Sequence, residues 1–347
     1  MNTTRITVAL LVALAAAGCA KKEEAAPASA APAAAAAPAS AALAAGMPAE
    51  IVIPGEHITP ESLTSTTDGH VIIGSVQAGT IWRAAPGAGT AEAWIKPGTD
   101  GLTGVFGVFA DNAGNTLYAC SGSFGAPPAG GPPPPPSTLH TFDLTTGAPK
   151  GKYPMPEANA FCNDIALDAN GNVYVTDTNN MLIGRLPKGG KKIETWAGQD
   201  GSLGAKGQVL DGIAVLGDRV FVNALMASKL YAVPIGENGA AGKAVEIKTD
   251  RVIDRPDGMR SFGGSDLLVA EGGGKGALSR VTISGDTGKS VVLKEGFPDG
   301  PVAVTVVGTT AYVLEGQLAL MMNPPKPGET PPPAKPYKAT AVEVGKP

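Results

Sequence analysis

Residues 163–178 read NDIALDANGNVYVTDT. Ile165 and Leu167 alternate with smaller residues, Asp168–Asn172 is a Gly/Asn/Asp-rich turn, and Val173 and Val175 resume the alternation. A period of two on both sides of such a turn predicts a β-hairpin. The same plan recurs along the chain: PESLTSTTDGHVIIGS (60–75), VFGVFADNAGNTLYACS (105–121), DGIAVLGDRVFVNA (211–224), DGMRSFGGSDLLVAEG (257–272) and, more weakly, PVAVTVVGTTAYVLEG (301–316). Most hairpins lead into a third strand, as in GTIWRAA (79–85), MLIGRLP (181–187) and ALSRVTIS (277–284). A fourth, outer strand follows in AEAWI (91–95), KIETWAG (192–198), AVEIK (244–248) and SVVLK (290–294).

The equivalent first positions are Glu61, Phe106, Asn163, Asp211, Asp257 and Pro301, in steps of 44 to 57 residues. The longest step contains a proline-rich insertion, Ala126–Pro136. Six four-stranded units at this period predict an all-β fold, a six-bladed β-propeller. EIVIP (50–54) has the sequence position of an outer strand for blade six, and YKATAVEV (337–344) that of its third strand. Pairing the two termini in one blade would remove the exposed edges of an open ring.

Ahead of this domain, Arg5 is followed by an apolar run, Ile6–Ala17, too short to span a bilayer as a mature helix and suited to a signal-peptide core. It ends in Ala16-Ala17-Gly18-Cys19, which resembles the lipobox of bacterial lipoproteins, with alanine where leucine is usual. Residues 1–19 are therefore expected to be a lipoprotein signal peptide with a lipid on Cys19. Residues 20–49, mostly Ala, Pro and Ser, are expected to form a tether, and 50–347 the propeller. The protein would then be exported and anchored through its lipid, facing the periplasm or cell surface, as a monomer. A net charge of −4 without a Lys/Arg cluster argues against a nucleic-acid partner.

In a propeller the first strand of each blade lines the central channel, so the six first positions form a ring at one mouth. Four of them carry side-chain oxygens: Glu61, Asn163, Asp211 and Asp257. Any one alone is an ordinary turn residue. Three carboxylates and an amide converging on one point repel one another unless a cation sits between them. An all-oxygen set favours Ca²⁺, or Mg²⁺ with more bound water, over zinc or copper.

The repeats, NDIALDANGNVYVTD and PDGM followed by DLLVAE above all, are similar to the senescence marker protein/gluconolactonase/luciferin-regenerating enzyme family of six-bladed propellers. The resemblance implies a divalent cation in the channel and hydrolysis of a sugar lactone or related ester. It places Glu61, Asn163 and Asp257 on family ligands, with Asp257 as the catalytic base. Asp211 stands where that family has a second Asn, adding a negative charge. Asp164 follows Asn163 and would orient it from behind. Two readings remain open: a Ca²⁺-dependent hydrolase of a small-molecule substrate, or a non-catalytic propeller lipoprotein serving as a binding or scaffold module.

His57 lies in a loop before Glu61, His70 in a hairpin turn and His140 in a third strand, and none has a catalytic partner in view. No Gly-x-Ser-x-Gly elbow, Cys-x-x-Cys pair or phosphate-binding Gly-Lys loop occurs. The insertions Gly125–Pro136 and Met321–Pro336 both fall between second and third strands, on the mouth face of the ring. The repeat register also brings Cys120 and Cys162 to neighbouring blades at that mouth. There they form either a disulfide or two buried thiols.

Overall fold

A computed structural model describes residues 46–123, 136–157, 159–323 and 335–347. The expected signal segment, Cys19, most of the tether and the central parts of both proline-rich insertions lie outside the described residues. The described residues form six antiparallel sheets, one per repeat, and the fold is a six-bladed β-propeller. The inner strands run Pro60–Ser65, Gly104–Asp111, Cys162–Leu167, Leu210–Leu216, Pro256–Phe262 and Pro301–Val307 in blades one to six.

Closure occurs in blade six, where Glu50–Ile53 pairs antiparallel with Tyr337–Glu343, Glu50 opposite Thr340 and Ile53 opposite Tyr337. Packing begins a few residues before the expected boundary at 50. Met47 lies against the core between blades six and one, the Pro48 carbonyl accepts the Tyr312 hydroxyl at 3.0 Å, and the Ala49 carbonyl accepts the Ala341 amide at 2.9 Å.

The period-two pattern explains the core. A blade is buried on both faces, so alternate residues of one strand pack against opposite neighbours. In blade one, Val71 and Ile73 join residues of blade six, while Ile72 between them joins residues of blade two. In blade six, Tyr312 and Leu314 face blade one, and Ala311 and Val313 face blade five. Six such clusters fill the six blade interfaces. Second strands are consequently buried along their whole length, as in Val71–Ser75 and Val173–Asp177.

Outer strands have only a rim to pack on, and there the sequence reading is least faithful. Blade two's outer strand, Pro149–Pro154, alternates exposed and half-buried residues around two lysines and was not anticipated. The expected strand 244–248 is divided. Val245–Glu246 completes blade four, whereas Lys248–Thr249 pairs in parallel with Thr287–Glu295 as a fifth strand of blade five. Among the described residues no helix is long and apolar enough to cross a membrane.

Candidate metal centre

Every inner strand carries a β-bulge at its ring position. In blade three the pairing passes from Cys162–Asp177 to Ile165–Val175, so Asn163 and Asp164 together face one residue. Blade four skips likewise over Asp211 and Gly212, blade five over Asp257 and Gly258, and blade two over Phe106 and Gly107. Blades one and six skip over Glu61 and Val302. A bulge turns a side chain out of the alternating pattern, and here it delivers the ring residues to the channel.

The glycines after three ring positions are a packing requirement. A Cβ on Gly212 would collide with the Asp257 carbonyl, one on Gly107 with the Asn163 carbonyl, and one on Gly258 with the Val302 carbonyl at 2.7 Å. Each blade's bulge therefore nests against the backbone of the next ring residue. The Asp-Gly pairs resemble turn signals in sequence, yet they act as bulges. Two positions before three of the acidic residues the backbone is left-handed: Thr59 (φ 45°), Val209 (φ 60°) and Arg255 (φ 50°). Such φ values are costly for β-branched Thr and Val, and strain of this kind collects at functional sites.

The result is a tight acidic cup. Glu61, Asp211 and Asp257 each offer a carboxylate oxygen, and these lie within 4.8 Å of one another. Asp211, Asp257 and Asn163 are buried, and Asn163 stands at hydrogen-bonding distance of Asp211. Burial, then Asp164, raises the Asp211 carboxyl to about 7. Burial also holds Asp257 well above the usual carboxylate range, reinforced by Asp211 and Glu61. Glu61 is raised by burial and by Asp211 and Asp164, with Arg260 opposing. The Asn163 Oδ1 atom is buried without a hydrogen-bond partner. An orphaned amide oxygen beside three crowded carboxylates is the donor set a hard divalent cation satisfies.

The remaining ring positions are apolar: Phe106 in blade two and, in blade six, Val302 rather than the expected Pro301, which stays paired opposite Glu315 one residue before the bulge. Phe106 packs edge-on to Phe161, with ring centroids 4.5 Å apart. Helix α1 (Leu318–Met322) leads into the blade-six insertion, and its Met321 packs against the core cluster between blades two and three that includes Phe106. Cys120 and Cys162 are joined by a disulfide, with Cα atoms 5.2 Å apart. It fastens blade two's second strand to the residue next to Asn163.

The other candidate residues are held elsewhere, the histidines in the loop, turn and third strand where the sequence places them. The Asp164 carboxylate is held by Ile213 and Arg260. One of its oxygens accepts the Ile213 amide at 3.2 Å, and both accept Arg260, at 2.9 and 3.2 Å. His57 is exposed. His70 pairs with Asp68 in its turn at 3.0 Å, and His140 is buried in blade two, its pKa lowered by that burial. Asn223, absent from the sequence reading, lies opposite the blade-four bulge and donates to the Asp257 carbonyl at 2.6 Å. Other buried acids serve the loops. Asp177, Glu271 and Glu315 end second strands and accept the amides of Phe161, Asp254 and Asp299.

Comparison with known proteins agrees with this architecture. The family model for the NHL repeat matches residues 159–186, which contain the blade-three hairpin. No curated protein matches the sequence. Among solved structures, a gluconolactonase from Xanthomonas campestris superposes with a TM-score of 0.56 at 13% identity, covering 82% of this chain and 86% of that one. A calcium-binding regucalcin from Agrobacterium tumefaciens gives 0.53 at 14%, covering 85% and 96%. A virginiamycin B lyase from Staphylococcus aureus gives 0.53 at 18%, covering 77% and 80%. The shared feature is the propeller. The gluconolactonase and regucalcin likeness agrees with the resemblance carried by the repeats, and at these identities it establishes the fold alone.

Proposed function

We propose that the protein is a divalent-cation-dependent hydrolase of a lactone or related ester, with Glu61, Asn163, Asp211 and Asp257 holding Ca²⁺ or, with more retained water, Mg²⁺. The observation that carries this reading is the convergence of three carboxylates, with Asn163, whose buried Oδ1 has no hydrogen-bond partner, next to Asp211. A divalent ion bound there supplies polarisation of a carbonyl and a lowered pKa for water. The chain's own contribution is orientation and proton transfer. The Gly258 amide donates to Asp257 Oδ1 at 2.9 Å, which fixes that carboxylate and leaves its second oxygen to take a proton from the attacking water. Phe106 offers an apolar surface beside the cup on which the apolar part of a substrate would rest.

The extra charge at Asp211 favours a second reading, a propeller that binds the cation tightly without turnover. Hydrolysis of a panel of sugar and simple lactones by the purified protein, in Ca²⁺ and in chelator, separates the two. Ca²⁺-dependent turnover supports the hydrolase, and Ca²⁺ binding with no turnover on any lactone or ester supports the binding module. We also propose that the chain is an exported lipoprotein modified on Cys19. Support comes from the apolar run 6–17 ending in Ala-Gly-Cys and from the Cys120–Cys162 disulfide, which suits an oxidising compartment. Mass spectrometry of the membrane-extracted N-terminal peptide tests this, and an unmodified Cys19 would refute it.

A further inference from the structure

Beneath the acidic cup lies a buried cation that belongs to the chain. Arg260 stands three positions after Asp257, and its side chain is 10% exposed. It donates to the carbonyls of Leu63 at 3.3 Å, Val108 at 3.2 Å and Met259 at 2.8 Å, and to both oxygens of Asp164. Asp164 in turn accepts the Ile213 amide. Leu63, Val108, Ile213 and Met259 share one address, two residues after the ring positions Glu61, Phe106, Asp211 and Asp257. Asp164 follows the ring residue of blade three. One ion pair therefore gathers the inner strands of five blades in the layer directly below the cup.

We propose that Arg260, with Asp164, is the positioning residue of the cup: it sets the spacing of the ligand-bearing strands, closes the channel beneath them and withholds the Asp164 carboxylate from the bound ion. The inference rests on the cation reading of the ring and goes beyond it. Its logic is geometric. The planar guanidinium presents several donors at fixed angles, so it bridges strands that a lysine ammonium cannot bridge together. Its charge also opposes the mutual repulsion of the cup and offsets that of Asp164. A buried pair of this kind contributes little net stability against an apolar replacement. Conformational specificity, here of the cup, is the better account of it.

The test compares Arg260→Lys, which keeps the charge and loses the fork, with Arg260→Met and Asp164→Asn. Asp168→Asn is the control, because Asp168 is equally buried at the far end of the same inner strand, holding Asn172 and Tyr174. Three quantities are read: Ca²⁺ affinity by calorimetry, the number of waters on bound Tb³⁺ from its luminescence lifetime, and hydrogen exchange of the inner-strand peptides. Arg260→Lys is expected to weaken Ca²⁺ binding by about tenfold or more, to add water to Tb³⁺, and to speed exchange in blades one to five together. Asp164→Asn produces the same changes at smaller amplitude, and it remains informative if the Arg260 variants do not fold. Asp168→Asn lowers the melting temperature and leaves Tb³⁺ hydration and Ca²⁺ affinity unchanged. Wild-type affinity and hydration in Arg260→Lys, or faster exchange confined to blade five, would overturn the proposal. If the unaltered protein binds neither ion, the cation reading fails. The exchange pattern then decides by itself whether Arg260 ties the strands.

Discussion

The ring carries two kinds of position on one backbone. Blades three, four, five and one present Asn163, Asp211, Asp257 and Glu61, whereas blades two and six, on either side of blade one, present Phe106 and Val302. All six inner strands break their pairing with a bulge at the same place. The fold thus supplies six equivalent ways of aiming a side chain at the axis, and side-chain identity alone makes four positions an acidic cup and leaves the two beside Glu61 apolar. Architecture and chemistry separate cleanly here, which is the general condition for one propeller to host many functions.

Removing a carboxylate from the acidic cup breaks this comparison most severely. Asp257→Ala is expected to abolish Ca²⁺-dependent lactone hydrolysis and to lower Ca²⁺ affinity beyond measurement. Its melting temperature should fall more in Ca²⁺ than in chelator, because the ion no longer stabilises the native state by mass action. Equal losses in both conditions would show that Asp257 is a structural residue.

Next in size is the tie between the two kinds of position, since the disulfide runs from Cys120, opposite the Phe106 bulge, to the neighbour of Asn163. Replacing both cysteines by alanine should cost about 2–4 kcal/mol by denaturant titration, with weaker Ca²⁺ binding through a looser Asn163. Unchanged midpoints would contradict this.

The acidic cup should also reveal itself in the pH dependence of the ion-free protein. The folded pKa of Asp211, about 7, lies above its ordinary value of 3.8, so the folded state holds a proton that the unfolded chain releases first. Stability from that group is complete below about pH 4 and is lost as pH rises through about 7, the reverse of a salt-bridged carboxylate. Melting temperatures in chelator should therefore fall between those limits, and saturating Ca²⁺ should remove the fall. A rise over that interval in chelator would contradict the crowding of the cup.

A smaller effect is expected from Gly212→Ala, whose Cβ would press on the Asp257 carbonyl. A destabilisation of about 1–3 kcal/mol should come with weaker Ca²⁺ binding, both measured against Gly217→Ala. Gly217 has open space around it, and alanine there carries only the cost of its positive φ. Similar behaviour of the two variants would remove the nesting argument.

Much of this was legible in the sequence because inner and middle strands are buried on both faces and must alternate. Their phase fixed the blade count, the closure of the termini and the four polar ring positions. The outer strands escaped. Pro149–Pro154 packs on a rim and carries no apolar pattern, and 244–248 is shared between two blades. Arg260 escaped for another reason, since a charge in an amphipathic strand reads as solvent-facing. Its signal was present in the aligned repeats, where the same column holds Thr64, Phe109, Ala166, Ala214 and Thr305. A single charge in a column of apolar and small residues marks a buried ion pair, and Asp164, where blades two, four and five have glycine, marks its partner.

The claim that these parts form one cation site is tested most directly by calorimetric titration of the purified, chelator-treated protein with Ca²⁺. The account predicts one saturable site that disappears in Asp257→Ala and persists, with altered affinity, when Asp211→Asn removes the extra charge. No binding to the unaltered protein, or undiminished binding in Asp257→Ala, would contradict it.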